Sequence, residues 1–350
     1  MKTIAIIGAG MMGSAMGIPA GDRGHEVRLV GTPLDMDIIE HARQTGRHLT
    51  MNRPLPEGTR YYQFDEARKA LWGADLVIGG VSSFGIDWFA REAVPLIPDG
   101  LPVLMVTKGL ARHPDGRLEA FPHLLARQTG RKHAFCAVGG PCTSYELADR
   151  QQASVVFCGE DIASLRLLRE TLRTDYYHIS LSRDIMGVEC AAAMKNAYAL
   201  AVCLAVGLHE REHGKLAVPA YNPQAALFAQ SVREIRRMLK LLGGGDENIV
   251  YAAGDLYVTV FGGRTRKLGV LLGRGLSIRD ALAQLEGITL ESVVIAMRTA
   301  EALRALAQRG EANIGDFPLL MHIGDLLEGN ATVDIPWASF EAEDNGTDCL

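Results

Sequence analysis

The sequence lacks the cysteine spacings of a structural metal site or of a disulfide framework. Its six cysteines are scattered over 350 residues, and no two of them form a C-x-x-C pair. This pattern argues against zinc-ribbon sites and disulfide scaffolds, and it indicates a protein of a reducing compartment. We expect no bound metal.

The sequence also lacks a strong excess of either charge. The formal net charge is -5 and the isoelectric point about 6.1, so the chain has no broad attraction for nucleic acid or for an anionic membrane. An anionic ligand must therefore be held by a local cluster of donors. The hydrophobic fraction of 48% and the charged fraction of 22% are those of an ordinary globular protein.

No uninterrupted apolar run of membrane-spanning quality is present. The longest apolar stretch covers residues 187–208 and carries Lys195 and Asn196 in its middle, which makes it a poor membrane span. The segment after Met1 enters a strand-like run at once, so we expect no signal peptide. These features predict a soluble, cytoplasmic protein without stable membrane insertion.

What the first half does contain is an alternation of short apolar runs with helical patterns. Several runs are almost continuously hydrophobic, which is typical of strands covered on both faces. Strands that alternate with helices predict right-handed βαβ units and a Rossmann-like α/β domain with a parallel-rich sheet. The candidate strands are Thr3–Ile7, Glu26–Leu29, Leu76–Gly80, Pro102–Val106, Ala134–Val138, Ser154–Phe157 and Tyr177–Ser180.

From Asp184 onward the pattern is helical. Strand-like runs nearly vanish, apart from Leu256–Phe261, which is ambiguous between helix and strand. We therefore predict a dinucleotide-binding domain over residues 1–182, an all-helical domain over residues 183–340 and a flexible tail over residues 341–350. The candidate helices are Gly187–Leu208, Pro223–Leu242, Leu276–Leu285, Leu290–Ala307 and Phe317–Glu328.

A glycine-rich turn follows the first strand. The segment Ile4–Gly13 reads I-A-I-I-G-A-G-M-M-G and places G-x-G-x-x-G between an apolar strand and a helical pattern. Gly8 permits the tight turn, Gly10 lets the backbone approach a pyrophosphate, and Gly13 lets the helix pack closely. A dinucleotide site is the prediction, and a glycine-rich structural turn is the alternative.

The end of the second strand leaves the choice between NAD and NADP open. In such folds an acid at this place binds the ribose 2′-hydroxyl, whereas an arginine favours a 2′-phosphate. The segment Val30–Asp35 reads V-G-T-P-L-D, with neither residue type at the expected place and Asp35 several residues late. Thr32 is able to hydrogen-bond either form of the ribose.

Polar residues gather where other elements end. Lys108 follows a buried strand at the carboxyl edge of the sheet, where ligands bind in such folds, although a solvated loop lysine is the alternative. The glycine pair before Pro141 brings bare backbone to the same edge, and Asp255 stands at an expected break in the helical domain. Three cations within residues 264–267 suit a phosphate or carboxylate, with a basic surface loop as the alternative.

Lys195 has two interpretations. Its side chain reaches water along one edge of the helix, or it is a proton donor in a dry site. The second interpretation fits carbonyl reduction, because hydride attack on the carbon requires a proton at the oxygen. Burial lowers the pKa of a lysine and a neighbouring aspartate raises it, so a buried lysine beside an aspartate suits this task.

Six motifs taken in order resemble those of the soluble, nicotinamide-dependent glycerol-3-phosphate dehydrogenases, from residue 4 to about residue 295. The resemblance implies interconversion of sn-glycerol 3-phosphate and dihydroxyacetone phosphate with NAD or NADP. It implies a Rossmann-like domain followed by an all-α domain like the C-terminal domain of 6-phosphogluconate dehydrogenase. We expect a small phosphorylated substrate, no nucleic-acid partner and a homodimer. The motifs are Gly8–Gly13, Thr107–Gly109, Gly140–Ala148, Gly187–Asn196, Gly254–Leu256 and Gly263–Arg264.

The same resemblance implies roles for individual residues. Lys195 is the implied catalytic proton donor and acceptor, with Asp255 beside it. Substrate contacts are implied for Lys108, Gly140, Cys142, Asp255, Gly263, Arg264 and Thr265. Cofactor contacts are implied for Gly8, Gly10, Met11, Met12, Gly13, Lys108, Ser144, Arg264 and Glu291.

Several positions depart from the family pattern. Thr265 stands in place of an asparagine, Cys142 in place of a small hydroxyl residue, Gln224 in place of a lysine, and Met12 where an aromatic side chain is common. Residues 209–220 read as an inserted loop. Two alternatives therefore accompany the main prediction: a ketopantoate-reductase-like dehydrogenase acting on another hydroxy substrate, and a dinucleotide-binding protein without catalysis.

Overall fold

A computed structural model describes residues 1–130, 133–285 and 290–340. The predicted tail over residues 341–350 lies outside the described residues. The strands are β1 Thr3–Ile7, β2 Glu26–Val30, β3 Arg60–Tyr62, β4 Leu76–Gly79, β5 Val103–Met105, β6 Leu110–Arg112, β7 Leu118–Ala120, β8 Phe135–Gly139, β9 Ala153–Cys158 and β10 Tyr177–Ser182.

Helices occupy much of the remaining chain. In the first half they are α1 Met11–Ala15, α2 Gly17–Asp22, α3 Met36–Thr45, α4 Ala67–Leu71, α5 Ile86–Trp88, α6 Phe121–Thr129, α7 Ser144–Ala148 and α8 Ile162–Leu172. In the second half they are α9 Ile185–His213, α10 Tyr221–Leu241, α11 Ile249–Val260, α12 Gly263–Gly273, α13 Ile278–Ala283, α14 Glu291–Gln308 and α15 Pro318–Leu327.

Eight strands form one sheet in the order β10-β9-β8-β5-β4-β1-β2-β3. Each strand runs parallel to its neighbour except that β9 is antiparallel to β8. The prediction of a parallel-rich α/β sheet is confirmed, and every candidate strand is present. Strand β3 and the small β6–β7 pair, each strand only three residues long, are not among the predicted strands.

Successive residues of β1 belong to two separate hydrophobic cores. Ile4 and Ile6 belong to the core on one face of the sheet, whereas Ala5 and Ile7 belong to the core on the other face. Strand side chains alternate between faces, so a continuous apolar run is what a strand covered on both faces requires. The carboxyl end of β1 is therefore held firmly where the glycine-rich turn begins.

The chain packs as two compact units that interleave along the sequence. The first contains the described residues within 1–111, 119–192 and 242–255, and the second contains those within 112–118, 193–241 and 256–340. The sheet and both of its cores belong to the first unit. The division into domains at residue 182 stays a prediction.

The second unit is helical and carries a buried carboxylate, Glu234 on α10. Its side chain accepts hydrogen bonds from the backbone N–H groups of Leu319 and Leu320 at 2.8 and 3.0 Å, and from Tyr198 Oη at 2.9 Å. These are the N–H groups that the first turn of α15 leaves unsatisfied, so Glu234 fixes the start of that helix. The predicted all-helical character of this part of the chain is confirmed.

The conformation of residues Leu256–Phe261 differs from one expectation. This ambiguous segment is helical, because α11 extends to Val260, and Asp255 lies within that helix and not at a break. Its β-branched and aromatic residues favour a strand locally, but propensity is a weak constraint that tertiary packing overrides. Leu256 is fully buried, as the helical face requires.

Helix α9 is long and apolar enough to cross a membrane by length and composition. The buried share of its most apolar window is 78%. Such burial is typical of the core helix of a globular protein.

Candidate active site

The glycine-rich turn between β1 and α1 has the close packing predicted for it. Gly8 has φ of +109°, and a Cβ there would lie 2.6 Å from the carbonyl carbon of Gly80. A Cβ on Gly13 would clash with the carbonyl oxygen of Gly8. Gly80, which follows β4, therefore completes a cluster of three glycines; the sequence analysis missed it, although the pair Gly79–Gly80 at the end of an apolar run was a visible signal.

The peptide groups on either side of Ala9, inside this turn, are fixed by three side chains. Asp35 Oδ2 accepts from Ala9 N at 3.1 Å, and Ser14 Oγ donates to Ala9 O at 3.2 Å. His48 Nδ1 accepts from Met51 N at 2.9 Å, so the ring proton is on Nε2, which donates to Ala9 O at 2.9 Å. His48 is fully buried, and burial lowers the pKa of its imidazole. A neutral imidazole therefore braces the turn.

A cavity of about 480 Å³ opens in front of the turn. Gly10 faces open space, with Gly80 O at 3.8 Å as the nearest atom to a Cβ added there. Bare backbone, a shallow apolar wall and a polar corner at Asp35 fit a dinucleotide. The lining residues are Gly8, Gly10, Thr32, Pro33, Leu34, Asp35, Gly80, Val81, Ser82, Phe84, Gly85 and Trp88.

Three further predicted cofactor residues of the first unit, Met11, Met12 and Ser144, lie on helices α1 and α7, which pack against each other. Met11 and Met12 begin α1 and are half-buried against the core. Ser144 is the buried first residue of α7. Thr143 Oγ1 accepts from Glu146 N at 3.4 Å, which caps the start of α7, and donates to Glu146 Oε2 at 2.8 Å.

Lys108 and Asp255 form a buried ion pair at the carboxyl end of β5. Lys108 Nζ lies 2.5 Å from Asp255 Oδ2 and donates to Gly140 O at 2.9 Å, while the Asp255 side chain is 1% exposed. Burial would lower the pKa of Lys108, but the Asp255 carboxylate, with smaller contributions from Cys142 and Glu189, outweighs burial and the pKa is raised. Lys108 is therefore a fixed cation, and the predicted residues Lys108, Gly140 and Asp255 are brought together.

The turn after β8 is shaped by close backbone approach. Gly140 has φ of +98°, and a Cβ there would lie 3.2 Å from Ser154 O. A Cβ on Gly254 would lie 3.3 Å from the Pro141 ring, so the residue before Asp255 packs directly on this turn. Cys142, which follows Pro141, is half-buried. It lies close enough to Lys108 to favour the charged form of that lysine.

Glu189 is a buried carboxyl group that the sequence analysis did not single out. Its side chain is fully buried, and no hydrogen bond of normal geometry reaches either carboxyl oxygen from the described residues. Burial raises the pKa of Glu189 to about 8, although the nearby Lys108 cation and the Gly109 N–H oppose the shift. The one available signal was a lone acid within the apolar stretch 187–208.

The remaining predicted residues lie in the second unit. Lys195 is half-buried on α9, where residues 187–205 are otherwise buried apart from Lys195 and Asn196. Gly263, Arg264 and Thr265 form the first turn of α12, which has no side-chain cap; Arg264 is exposed and Thr265 is buried. Glu291 is the half-buried first residue of α14, while Ile288 and Thr289 of its predicted motif lie outside the described residues.

Comparison with known proteins gives matches along most of the chain. Residues 3–164 match the family model described as the N-terminus of NAD-dependent glycerol-3-phosphate dehydrogenase, and residues 184–337 match the model described as the C-terminus of the same enzyme.

Individual relatives agree with these matches at modest identity. The chain is 29% identical to the NADP(+)-dependent glycerol-3-phosphate dehydrogenase of Archaeoglobus fulgidus, over 89% of this chain and 91% of that protein. It is 27% identical to a glycerol-3-phosphate dehydrogenase [NAD(P)+] of Shouchella clausii, over 90% and 89%. The crystal structure of glycerol-3-phosphate dehydrogenase from Coxiella burnetii shares the fold, with a TM-score of 0.79, 24% identity and 97% of each chain covered.

Proposed function

The chain belongs to the NAD-dependent glycerol-3-phosphate dehydrogenase family, and we propose that it interconverts sn-glycerol 3-phosphate and dihydroxyacetone phosphate with NAD(H) or NADP(H). The observation that carries this proposal is the buried Lys108–Asp255 pair at the carboxyl end of β5. A fixed cation at that edge of a parallel sheet suits an anionic or carbonyl-bearing ligand.

The cofactor, when bound, supplies or accepts the hydride. Gly8, Gly10 and Gly13 would let its pyrophosphate approach the backbone, because a Cβ at Gly8 or Gly13 is sterically excluded and Gly10 faces the cavity. Met11 and Met12 would supply backbone N–H groups at the start of α1, and Ser144 and Glu291 are proposed as further contacts.

Lys108 is proposed to orient the reacting end of the substrate. Its ammonium group is held by a carboxylate and a carbonyl, so its direction is set before a ligand arrives. An ammonium donates three hydrogen bonds, which leaves one for a substrate or cofactor oxygen. Gly140 and Cys142 are proposed to contact the substrate through the adjoining turn.

Lys195 is proposed as the proton donor and acceptor. In the direction of carbonyl reduction its ammonium group gives a proton to the oxygen as hydride reaches the carbon; in the reverse direction its neutral amine takes that proton back. What supports this role is the placement of a single lysine in a helical stretch that is otherwise buried except for its neighbour Asn196.

The substrate phosphate is proposed to bind at the start of α12. No side chain caps the first turn at Gly263, Arg264 and Thr265, so its backbone N–H groups are able to donate hydrogen bonds to an anion. The exposed Arg264 guanidinium would add a charge-assisted, bidentate contact. We also propose that the protein is cytoplasmic and forms a homodimer.

Following reduced nicotinamide absorbance with dihydroxyacetone phosphate tests the function. Lys195→Ala should lower kcat by about 10²- to 10⁴-fold, as expected for loss of a general acid. Lys215→Ala, at an exposed loop position, is the matched control and should retain wild-type activity.

Other outcomes separate the alternatives. Turnover of a 2-keto acid without turnover of dihydroxyacetone phosphate would support a ketopantoate-reductase-like enzyme. Nucleotide binding without turnover of either substrate would support the non-catalytic alternative. Full activity of Lys195→Ala would rule out the proton-transfer role assigned to Lys195.

A further inference from the structure

The Asp35 side chain turns back toward the end of β2. It stands at the N-cap position of α3, yet its side chain makes no capping hydrogen bond to that helix. Instead Oδ2 accepts from Thr32 N and Thr32 Oγ1, both at 2.8 Å, and from Ala9 N at 3.1 Å. One carboxylate oxygen therefore joins the glycine-rich turn to the residues that follow β2.

The second carboxylate oxygen is left for a ligand. Asp35 lines the cavity together with Gly8 and Gly10, and no described residue donates a hydrogen bond to Oδ1. A carboxylate at the end of the second strand is the group that accepts a hydrogen bond from a ribose 2′-hydroxyl in dinucleotide-binding folds. Asp35 reaches that place although it lies five residues beyond the last residue of β2.

The described lining of the cavity offers no cation to neutralise the charge of a 2′-phosphate. Among the described residues that line it there is no lysine and no arginine, and the only charged side chain is Asp35. His48 lies close to Asp35 but is buried, and its imidazole already binds Ala9 and Met51. A phosphate with about two negative charges would therefore meet a like charge without a cation.

We propose that Asp35 is a specificity-determining residue that selects NAD(H) over NADP(H). This inference rests on the proposed function in one respect, that the cavity beside the glycine-rich turn holds the dinucleotide. It goes beyond it by naming one cofactor and the residue that chooses it. Asp35 accepts the 2′-hydroxyl of NAD(H) with Oδ1 and repels the 2′-phosphate of NADP(H).

Titration of the full chain with NADH and with NADPH, followed by nicotinamide fluorescence without substrate, tests the selection directly. NADH should bind at least about tenfold more tightly than NADPH, since an uncompensated like charge costs at least that factor. The ratio should shrink as salt is raised, because salt screens the repulsion. Equal or tighter binding of NADPH overturns the proposal while leaving the proposed function intact; binding of neither nucleotide overturns both.

Two substitutions separate the charge of Asp35 from its structural role. Asp35→Asn keeps an oxygen acceptor for Thr32 and Ala9 but removes the charge, so the NADH/NADPH preference should fall about tenfold with little change in Tm. Leu34→Arg adds a cation at a cavity-lining side chain that is 93% exposed, so it should improve NADPH binding without disturbing the fold. Leu34→Gln is the uncharged control.

The two variants allow the proposal to be tested even if one of them is unstable. An unchanged preference in a folded Asp35→Asn protein would overturn the role of Asp35. If that variant does not fold, Leu34→Arg decides, because its failure to improve NADPH binding over Leu34→Gln would show that the 2′-position does not lie at this corner of the cavity.

Discussion

The Lys108 ammonium group and the Asp255 carboxylate lie 2.5 Å apart, with the aspartate 1% exposed and the lysine 15% exposed. The lysine follows a strand of the sheet, whereas the aspartate lies 147 residues later in the middle of a helix. This pair gives the candidate site a fixed positive charge, and its dependence on both partners is open to measurement.

Asp255→Asn should therefore impair both stability and turnover. Removing one partner leaves the Lys108 cation buried without its counter-ion, which typically costs about 3–5 kcal/mol of unfolding free energy. The pKa of Lys108 is raised by Asp255 against the effect of burial; without the carboxylate it should fall, and residual activity should decline at a lower alkaline pH than in the wild type.

Urea unfolding and a pH–rate profile measure these two effects. The control is Asp149→Asn, which breaks an exposed ion pair with Arg53 at 2.6 Å and should leave the free energy of unfolding nearly unchanged. Equal stability of the two variants would mean that Lys108 does not need a counter-ion.

Glu189 should make the protein less stable as the pH rises from about 4.5 to about 8. The ordinary pKa of a glutamate is 4.5, whereas burial raises that of Glu189 to about 8. Over this range the unfolded chain releases the proton and the folded protein keeps it, so stability falls, by up to about 5 kcal/mol at 1.36 kcal/mol per pKa unit. Above pH 8 the loss levels off.

Glu189→Gln removes this titration, so its unfolding free energy relative to the wild type should increase between pH 5 and pH 9. Urea midpoints by circular dichroism at each pH give the comparison. Glu40→Gln, on the exposed side of α3, serves as the control and should follow the wild-type pH dependence. Parallel curves for Glu189→Gln and the wild type would show that Glu189 ionises normally.

His48 should make the protein less stable on the acid side. Burial lowers the pKa of its imidazole from 6.5, so below that pH the unfolded chain takes up a proton that the folded protein does not. The stability that His48 contributes is complete above pH 6.5 and is lost as the pH falls. Protonation would also place a hydrogen on Nδ1, where Met51 N–H now donates.

His48→Gln retains a donor and an acceptor but does not titrate, so its thermal midpoint should depend less steeply on pH between 7 and 5. NADH affinity should show the same flattening, since His48 holds Ala9 in the glycine-rich turn. The exposed His213→Gln is the control. A wild-type slope in His48→Gln would contradict the assignment.

Arg264→Ala should raise the KM for dihydroxyacetone phosphate more than it lowers kcat. Loss of a charge-assisted contact to the phosphate corresponds to about 10- to 100-fold in affinity. Lys267→Ala removes an exposed cation one turn further along α12 and controls for the general charge of that helix. Steady-state kinetics with both variants would contradict the phosphate role if the two KM values changed alike.

The backbone frame of the site could be predicted from the sequence because its determinants are local. A strand, a G-x-G-x-x-G turn and a helix follow one another within residues 3–22, and each signal concerns neighbouring residues. Lys108 could be placed for the same reason, since it lies three residues after the end of an apolar strand.

The partners of these residues could not be predicted, because they are set by packing between distant segments. Asp255 was expected at a break and lies inside a helix, where burial of Leu256 outweighs the strand propensity of the residues that follow. The return of the Asp35 side chain to Thr32 and Ala9 could not be predicted either, because no local signal in the sequence indicates it. Three-residue strands such as β3 leave too short a pattern to detect.

The hydrogen bonds that fix Ala9 also bear on the entropy of cofactor association. Because Asp35, Ser14 and His48 already fix the peptide groups of this residue, the turn has little conformational entropy left to lose when a nucleotide arrives. Calorimetry should then give a small unfavourable entropy and a heat capacity change that reflects apolar burial alone. Loosening the brace would leave the contacts unchanged and make association entropically costlier.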